Sequence, residues 1–217
     1  MDFINKNPAL LLVDIQKAFL DKDYPGGKRN NHNAELICGK ILEKWRELGL
    51  NVIHVRHSST NPNSKLHESK PGFEFNDYVK PKGNEMILTK HVNSAFIGTG
   101  LDGILKSFNI NTLVIVGMTT NHCISTSVRM AGNLGYETFL INDSTACYNT
   151  IGLDGKEIDC KVIYPDFKFC GDNASLIAWA GIKRFKKNLI DSIDISAKSR
   201  WPLDSKAPYM KGPGLKL

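Results

Sequence analysis

The stretch Ala9-Leu10-Leu11-Leu12-Val13-Asp14-Ile15 restricts the fold more than any other part of the chain. Only Asp14 interrupts its apolar character, and polar and apolar positions do not alternate. A strand with one face in water alternates; a strand that does not is buried on both faces, as at the centre of a parallel sheet covered by helices. Further short apolar runs at 51–55, 86–89, 113–116 and 136–141 supply neighbours for it. Between them, Asn33 is placed to cap a helix over 34–48 in which Leu36, Ile37, Ile41, Leu42 and Trp45 share one face and which Gly49 ends. Residues 101–108 and 125–134 read as two more helices. Strand and helix in alternation predict an α/β fold: a doubly wound, mostly parallel sheet with helices on both faces, a Rossmann-like three-layer sandwich.

In a sheet of this kind, sites lie outside the carboxyl ends of the strands. Three predicted strands end there in a group able to do chemistry: Asp14, Lys90 and Cys123. Taken singly, Asp14 reads as a loop cap, Lys90 as a surface lysine and Cys123 as packing. Gathered at one edge they form an engine for acyl transfer. Cys123 follows an apolar run and the turn Gly117-Met118-Thr119-Thr120, at the predicted start of a helix. Backbone amides and the helix dipole there favour the thiolate. Asp14 would serve as general base and Lys90 as a fixed positive charge. The thiolate attacks a carbonyl, an amine leaves, and water cleaves the thioester. The turn before Cys123 offers N–H donors for the oxyanion.

The segments Leu12-Val13-Asp14-Ile15-Gln16-Lys17-Ala18-Phe19, Thr89-Lys90-His91-Val92-Asn93-Ser94-Ala95-Phe96 and Val116-Gly117-Met118-Thr119-Thr120-Asn121-His122-Cys123 resemble the isochorismatase-like cysteine hydrolase superfamily. Nicotinamidases, N-carbamoylsarcosine amidohydrolases, ureidoacrylate hydrolases and isochorismatases are among its members. The likeness runs from about Asn7 to about Cys147. It implies a catalytic triad of Asp14, Lys90 and Cys123, a cis peptide before Thr119, and an oxyanion hole made by the amides of Thr119 and Cys123. Isochorismatases that cleave a vinyl ether typically lack the cysteine, so its presence favours an amide or ureide substrate. The metal site of nicotinamidases, an Asp-x-His with a later histidine, has no counterpart between Asp14 and Lys90. His54 and His57 would point to opposite faces of a continuing strand. The resemblance therefore implies neither a metal nor another cofactor.

Phe19 and Phe96 follow two of the motifs and are candidates to wall a substrate pocket, or equally core residues. Asn121 is a candidate substrate contact or a cap for the helix near Cys123. Arg129 reads as a structural partner on that helix, and Asp143 as a strand end bonding backbone near the site. The loop from His57 to about Asn84 is long enough to serve as a lid or subunit contact. Residues 1–198 read as one domain. Residues 199–217 form a Pro/Gly/Lys tail whose Trp201 and Tyr209 would wrap a neighbouring subunit in a homo-oligomer.

The net charge of +6 comes from 28 Lys and Arg against 22 Asp and Glu, with much of the excess late in the chain. It lacks the dense basic stripe with interleaved aromatics of a nucleic-acid surface. No apolar run is long enough for a membrane span, and the amino-terminal residues do not read as a signal peptide. Five cysteines without paired spacing predict reduced thiols in the cytoplasm rather than a disulfide framework. The expected partner is a small-molecule substrate, with no nucleic acid and no membrane. Two other readings remain: ether cleavage with Asp14 as the acid, and a non-catalytic oligomeric scaffold.

Overall fold

The computed structural model describes residues 3–20 and 28–160. Strands β1 (Ala9–Val13), β2 (Asn51–His57), β3 (Met86–Lys90), β4 (Thr112–Met118) and β5 (Glu137–Ala146) form one sheet in the order β3-β2-β1-β4-β5, every pair parallel. Helix α1 (Ala34–Glu47) connects β1 to β2, α2 (Leu101–Ser107) connects β3 to β4, and α3 (Ser125–Asn133) connects β4 to β5. The order reverses between β1 and β4, which opens a crevice at their carboxyl ends.

Central β1 is buried at all five positions, and its side chains divide between two cores. Leu10 and Leu12 join Cys38, Leu42 and Trp45 of α1 with Val114 and Val116 of β4. Leu11 and Val13 face the other way, onto Leu101 and Leu105 of α2 and Ala131 of α3. The lack of alternation in the sequence is thus an alternation between two apolar layers. Among the described residues, no helix is long and apolar enough to cross a membrane.

Gly117 fixes the spacing between β1 and β4. Its φ is +135°, and a Cβ there would collide with the Val13 carbonyl oxygen. Gly117→Ala is expected to cost at least about 3 kcal/mol, because both backbone conformation and close approach exclude a side chain. Denaturant unfolding checks this; a loss below about 1 kcal/mol would show that the strands can separate without penalty.

Several boundaries differ from the sequence expectations. Strand β5 does not stop at Ile141. Its pairing with β4 slips between Ile115 and Gly117, so that Asn142-Asp143-Ser144 bulge out and Thr145 and Ala146 re-enter the sheet. Asn31 Nδ2 ties the bulge down by donating to the carbonyls of Asp143 and Thr145. Asp143 is therefore a bulge residue rather than a strand end. Asn33 precedes α1 but makes no side-chain cap. Cys147 and Cys160 form a disulfide, which corrects the expectation of reduced thiols throughout. Between them lies the hairpin of β6 (Thr150–Ile151) and β7 (Glu157–Ile158), and the Cys160 amide donates to Asn149 Oδ1. This fold-back brings the two Cα atoms to 5.7 Å, a proximity that spacing along the chain does not reveal.

Arg29 and Glu35 form a buried bidentate pair, with Nη1–Oε1 2.7 Å and Nη2–Oε2 2.5 Å. Glu35→Gln is expected to destabilise the fold by about 2–4 kcal/mol, since it leaves the guanidinium buried without its counter-charge. Thermal and denaturant unfolding measure it; an unchanged midpoint would contradict the role. The sequence pattern predicts a further helix over 174–185; that segment, the tail at 199–217 with Trp201 and Tyr209, and Cys170 lie outside the described residues.

Candidate active site

Asp14, Lys90 and Cys123 meet at the carboxyl edge of the sheet. Asp14 is the residue after β1, turned to φ +55° with its amide donating to the Val55 carbonyl. Lys90 is the last residue of β3. Both are about 1% exposed, and Lys90 Nζ donates to Asp14 Oδ2 at 2.6 Å. Nζ also lies 3.4 Å from Cys123 Sγ. Asp14 Oδ1 is buried without a hydrogen-bond partner among the described residues, a costly state for a carboxylate oxygen and one suited to receiving a proton.

Cys123 does not begin an α-helix. It lies within a π-helical turn, Thr120–Ile124, that precedes α3; the Ile124 amide reaches back to the Thr119 carbonyl. The Met118–Thr119 peptide is cis. Thr119 is buried, and its Oγ1 lies 3.1 Å from His122 Nδ1.

The electrostatics correct one expectation. Burial, then the Asp14 charge, push the Cys123 thiol up to about 12, with Lys90 only partly offsetting them. Burial likewise raises the Asp14 carboxyl, against the pull of Lys90. Desolvation and the neighbouring carboxylate thus favour the thiol, against the thiolate that a helix dipole would favour. A raised carboxylate is also a stronger base, which suits it to take the thiol proton. Iodoacetamide labelling of Cys123 should therefore climb about tenfold per pH unit from pH 7 to 10. A plateau near pH 8.5 would contradict this.

Other candidates find different uses. The Phe19 ring stacks on Tyr148 with centroids 6.4 Å apart, in a cluster with Ala34, Leu66 and Met118. The Phe96 ring stacks on Tyr136 at 5.9 Å, against the core under α2 and α3. Both rings make these packing contacts. Asn121 is exposed in the π turn and makes no cap. Arg129 Nε donates to Ser125 Oγ, one turn earlier on α3. His54 and His57 do point apart: His54 is buried and 2.9 Å from Glu85, whereas His57 Nδ1 is 3.4 Å from Lys90 Nζ. Among the described residues no group of His, Cys, Asp and Glu is arranged to hold a metal ion.

Two site residues escaped the sequence reading. Asn93 places Oδ1 3.8 Å from Cys123 Sγ, on the turn after Lys90. Gln16 is fully buried; it donates to the carbonyls of His57 and Phe73 and accepts from the His57 amide. It thereby ties the long loop to the residue pair after β1. A polar residue two places after Asp14 was the available signal.

The relatives of this three-layer α/β chain place it in a class, the hydrolases. Residues 8–155 match the isochorismatase domain model, and the chain belongs to the isochorismatase family. It is 50% identical over 145 residues to the isochorismatase family protein YrdC of Bacillus subtilis, covering 67% of this chain and 76% of that one. The crystal structure of an isochorismatase-family protein from Chromobacterium violaceum is similar with a TM-score of 0.68 and 37% identity, over 73% of this chain and 81% of the other. N-carbamoylsarcosine amidase from Thermoplasma acidophilum is similar at 26% identity and a TM-score of 0.58, over 64% and 81% of the two chains.

Proposed function

We propose that the protein is a metal-independent cysteine hydrolase that cleaves a C–N bond, amide or ureide, of a small carbonyl compound. The observation that carries this reading is the single ammonium shared by a buried carboxylate and a thiol, with Lys90 Nζ 2.6 Å from Asp14 and 3.4 Å from Cys123. Asp14 takes the Cys123 proton as sulfur attacks the carbonyl carbon, and Lys90 stabilises the charge left on the site. The amides of Thr119 and Cys123 receive the oxyanion. Collapse of the tetrahedral intermediate expels the amine, which takes the proton from Asp14. Water, deprotonated by the same carboxylate, then hydrolyses the thioester. The N-carbamoylsarcosine amidase likeness supports a C–N bond as the one broken. The two histidines of β2 support the absence of a metal, since one bonds Glu85 and the other faces Lys90.

A screen of small amides and ureides tests the proposal, with ammonia or amine release as the readout. Turnover lost in Cys123→Ser and in Asp14→Asn supports it. Turnover of a vinyl-ether substrate that is lost in Asp14→Asn but kept in Cys123→Ala would instead favour ether cleavage with Asp14 as the acid.

A further inference from the structure

Lys90 has more acceptors around it than protons to give. An ammonium carries three N–H bonds. Four atoms lie within reach: Asp14 Oδ2 at 2.6 Å, the Val92 carbonyl at 3.1 Å, His57 Nδ1 at 3.4 Å and Cys123 Sγ at 3.4 Å. The two short contacts occupy two protons. Imidazole and sulfur compete for the third at equal distance. The state of the sulfur decides the contest, because a thiol is a weak acceptor and a thiolate a strong one.

We infer that His57 is a positioning residue that holds the third Lys90 proton while Cys123 is a thiol and yields it to the sulfur as the thiolate forms. The inference rests on Lys90 and Cys123 being the working pair of the proposed function. No proton changes owner at Lys90, which stays an ammonium; the thiol proton goes to Asp14.

The surroundings of His57 suit this task. It ends β2 in register with Lys90 at the end of β3. The Gln16 side chain grips both its backbone N–H and its C=O, which fixes the point from which the ring projects. Burial, then the charges of Lys90 and His91, hold the ring near 4, so it is neutral at pH 7. The charged or titratable groups around it are Lys90 and His91 at and after β3, with Asp14 after β1 and Cys123 in the π turn sharing the same ammonium. An ammonium donating to Nδ1 needs the lone pair there, so the inference requires the ring proton on Nε2. Releasing the His57 contact becomes part of the cost of ionising Cys123, so the imidazole restrains the nucleophile until Lys90 is drawn to it.

The test is iodoacetamide labelling of Cys123 in the full chain at pH 8, followed by peptide mass spectrometry, with circular dichroism as the check on folding. His57→Leu fills the space without an acceptor, and is expected to label Cys123 about tenfold faster, equivalent to a pKa about one unit lower. His57→Asn, whose amide oxygen replaces Nδ1, should stay within about twofold of wild type. In a Lys90→Met background, adding His57→Leu should change nothing, because the effect passes through the ammonium. Equal or slower labelling in His57→Leu overturns the inference. So does an acceleration that survives in the Lys90→Met background, which would reflect access alone. If Lys90→Met by itself leaves labelling unchanged, the pairing of Lys90 with sulfur fails, and the inference falls with it. Should either variant not fold, His57→Gln carries the test: its amide reaches the Nε2 position, and labelling no faster than His57→Asn contradicts the role of Nδ1.

Discussion

Cys123→Ala is expected to reduce kcat/KM toward an amide or ureide substrate by at least about 10⁴-fold, the scale of losing a nucleophile for which no other group substitutes. Among the described residues the other free thiol, Cys38, is buried on α1 against Ser144, and burial pushes it far up, so it cannot take over. The same variant should keep its stability to within about 1 kcal/mol, since Cys123 is only partly buried and loses a single sulfur. Parallel kinetics and denaturant unfolding separate these effects. Retained turnover in a folded Cys123→Ala protein would remove the thioester route.

Lys90→Met should damage both fold and activity. Asp14 is fully buried, with one oxygen already unpartnered and the other held by Lys90. Removing the ammonium leaves a buried carboxylate without its counter-charge, at a cost of about 3–5 kcal/mol. The sign with pH follows. Without Lys90 the Asp14 carboxyl rises still further above its unfolded value, so the folded state binds the extra proton. The stability of Lys90→Met should therefore improve as pH falls from 7 toward 5. Adding Asp14→Asn should restore most of the stability and none of the activity. Wild-type stability in Lys90→Met at pH 7 would show that the pair is not coupled.

How much of this was legible in the chain depended on whether the signal was local. The apolar run at Ala9–Val13 specified a doubly covered central strand because burial on both faces needs no information from elsewhere. Once the strands were placed, topology alone carried Asp14, Lys90 and Cys123 to one edge. Their spacing within that edge was not legible. Neither was the thiol of Cys123: sequence places it near a helix start, while its ionisation depends on burial and on Asp14, contributed by another strand. The π turn and the bulge of β5 are local insertions that break the hydrophobic period, and no short-range residue signal marks where they fall. Phe19 and Phe96 were ambiguous because an aromatic ring suits a core and a pocket wall equally; their contacts with Tyr148 and Tyr136, both distant in sequence, were not legible. His57 was considered for a metal, and its proximity to Lys90 followed only from the β2–β3 register.

The most direct measurement of the central claim is intact-protein mass spectrometry during turnover, quenched in acid, with a substrate from the amide and ureide screen. The account predicts a transient mass increase equal to the acyl fragment, located on the peptide that carries Cys123 and absent from Cys123→Ala. Turnover at full rate with no adduct at any quench time, and unchanged in Cys123→Ala, would contradict it.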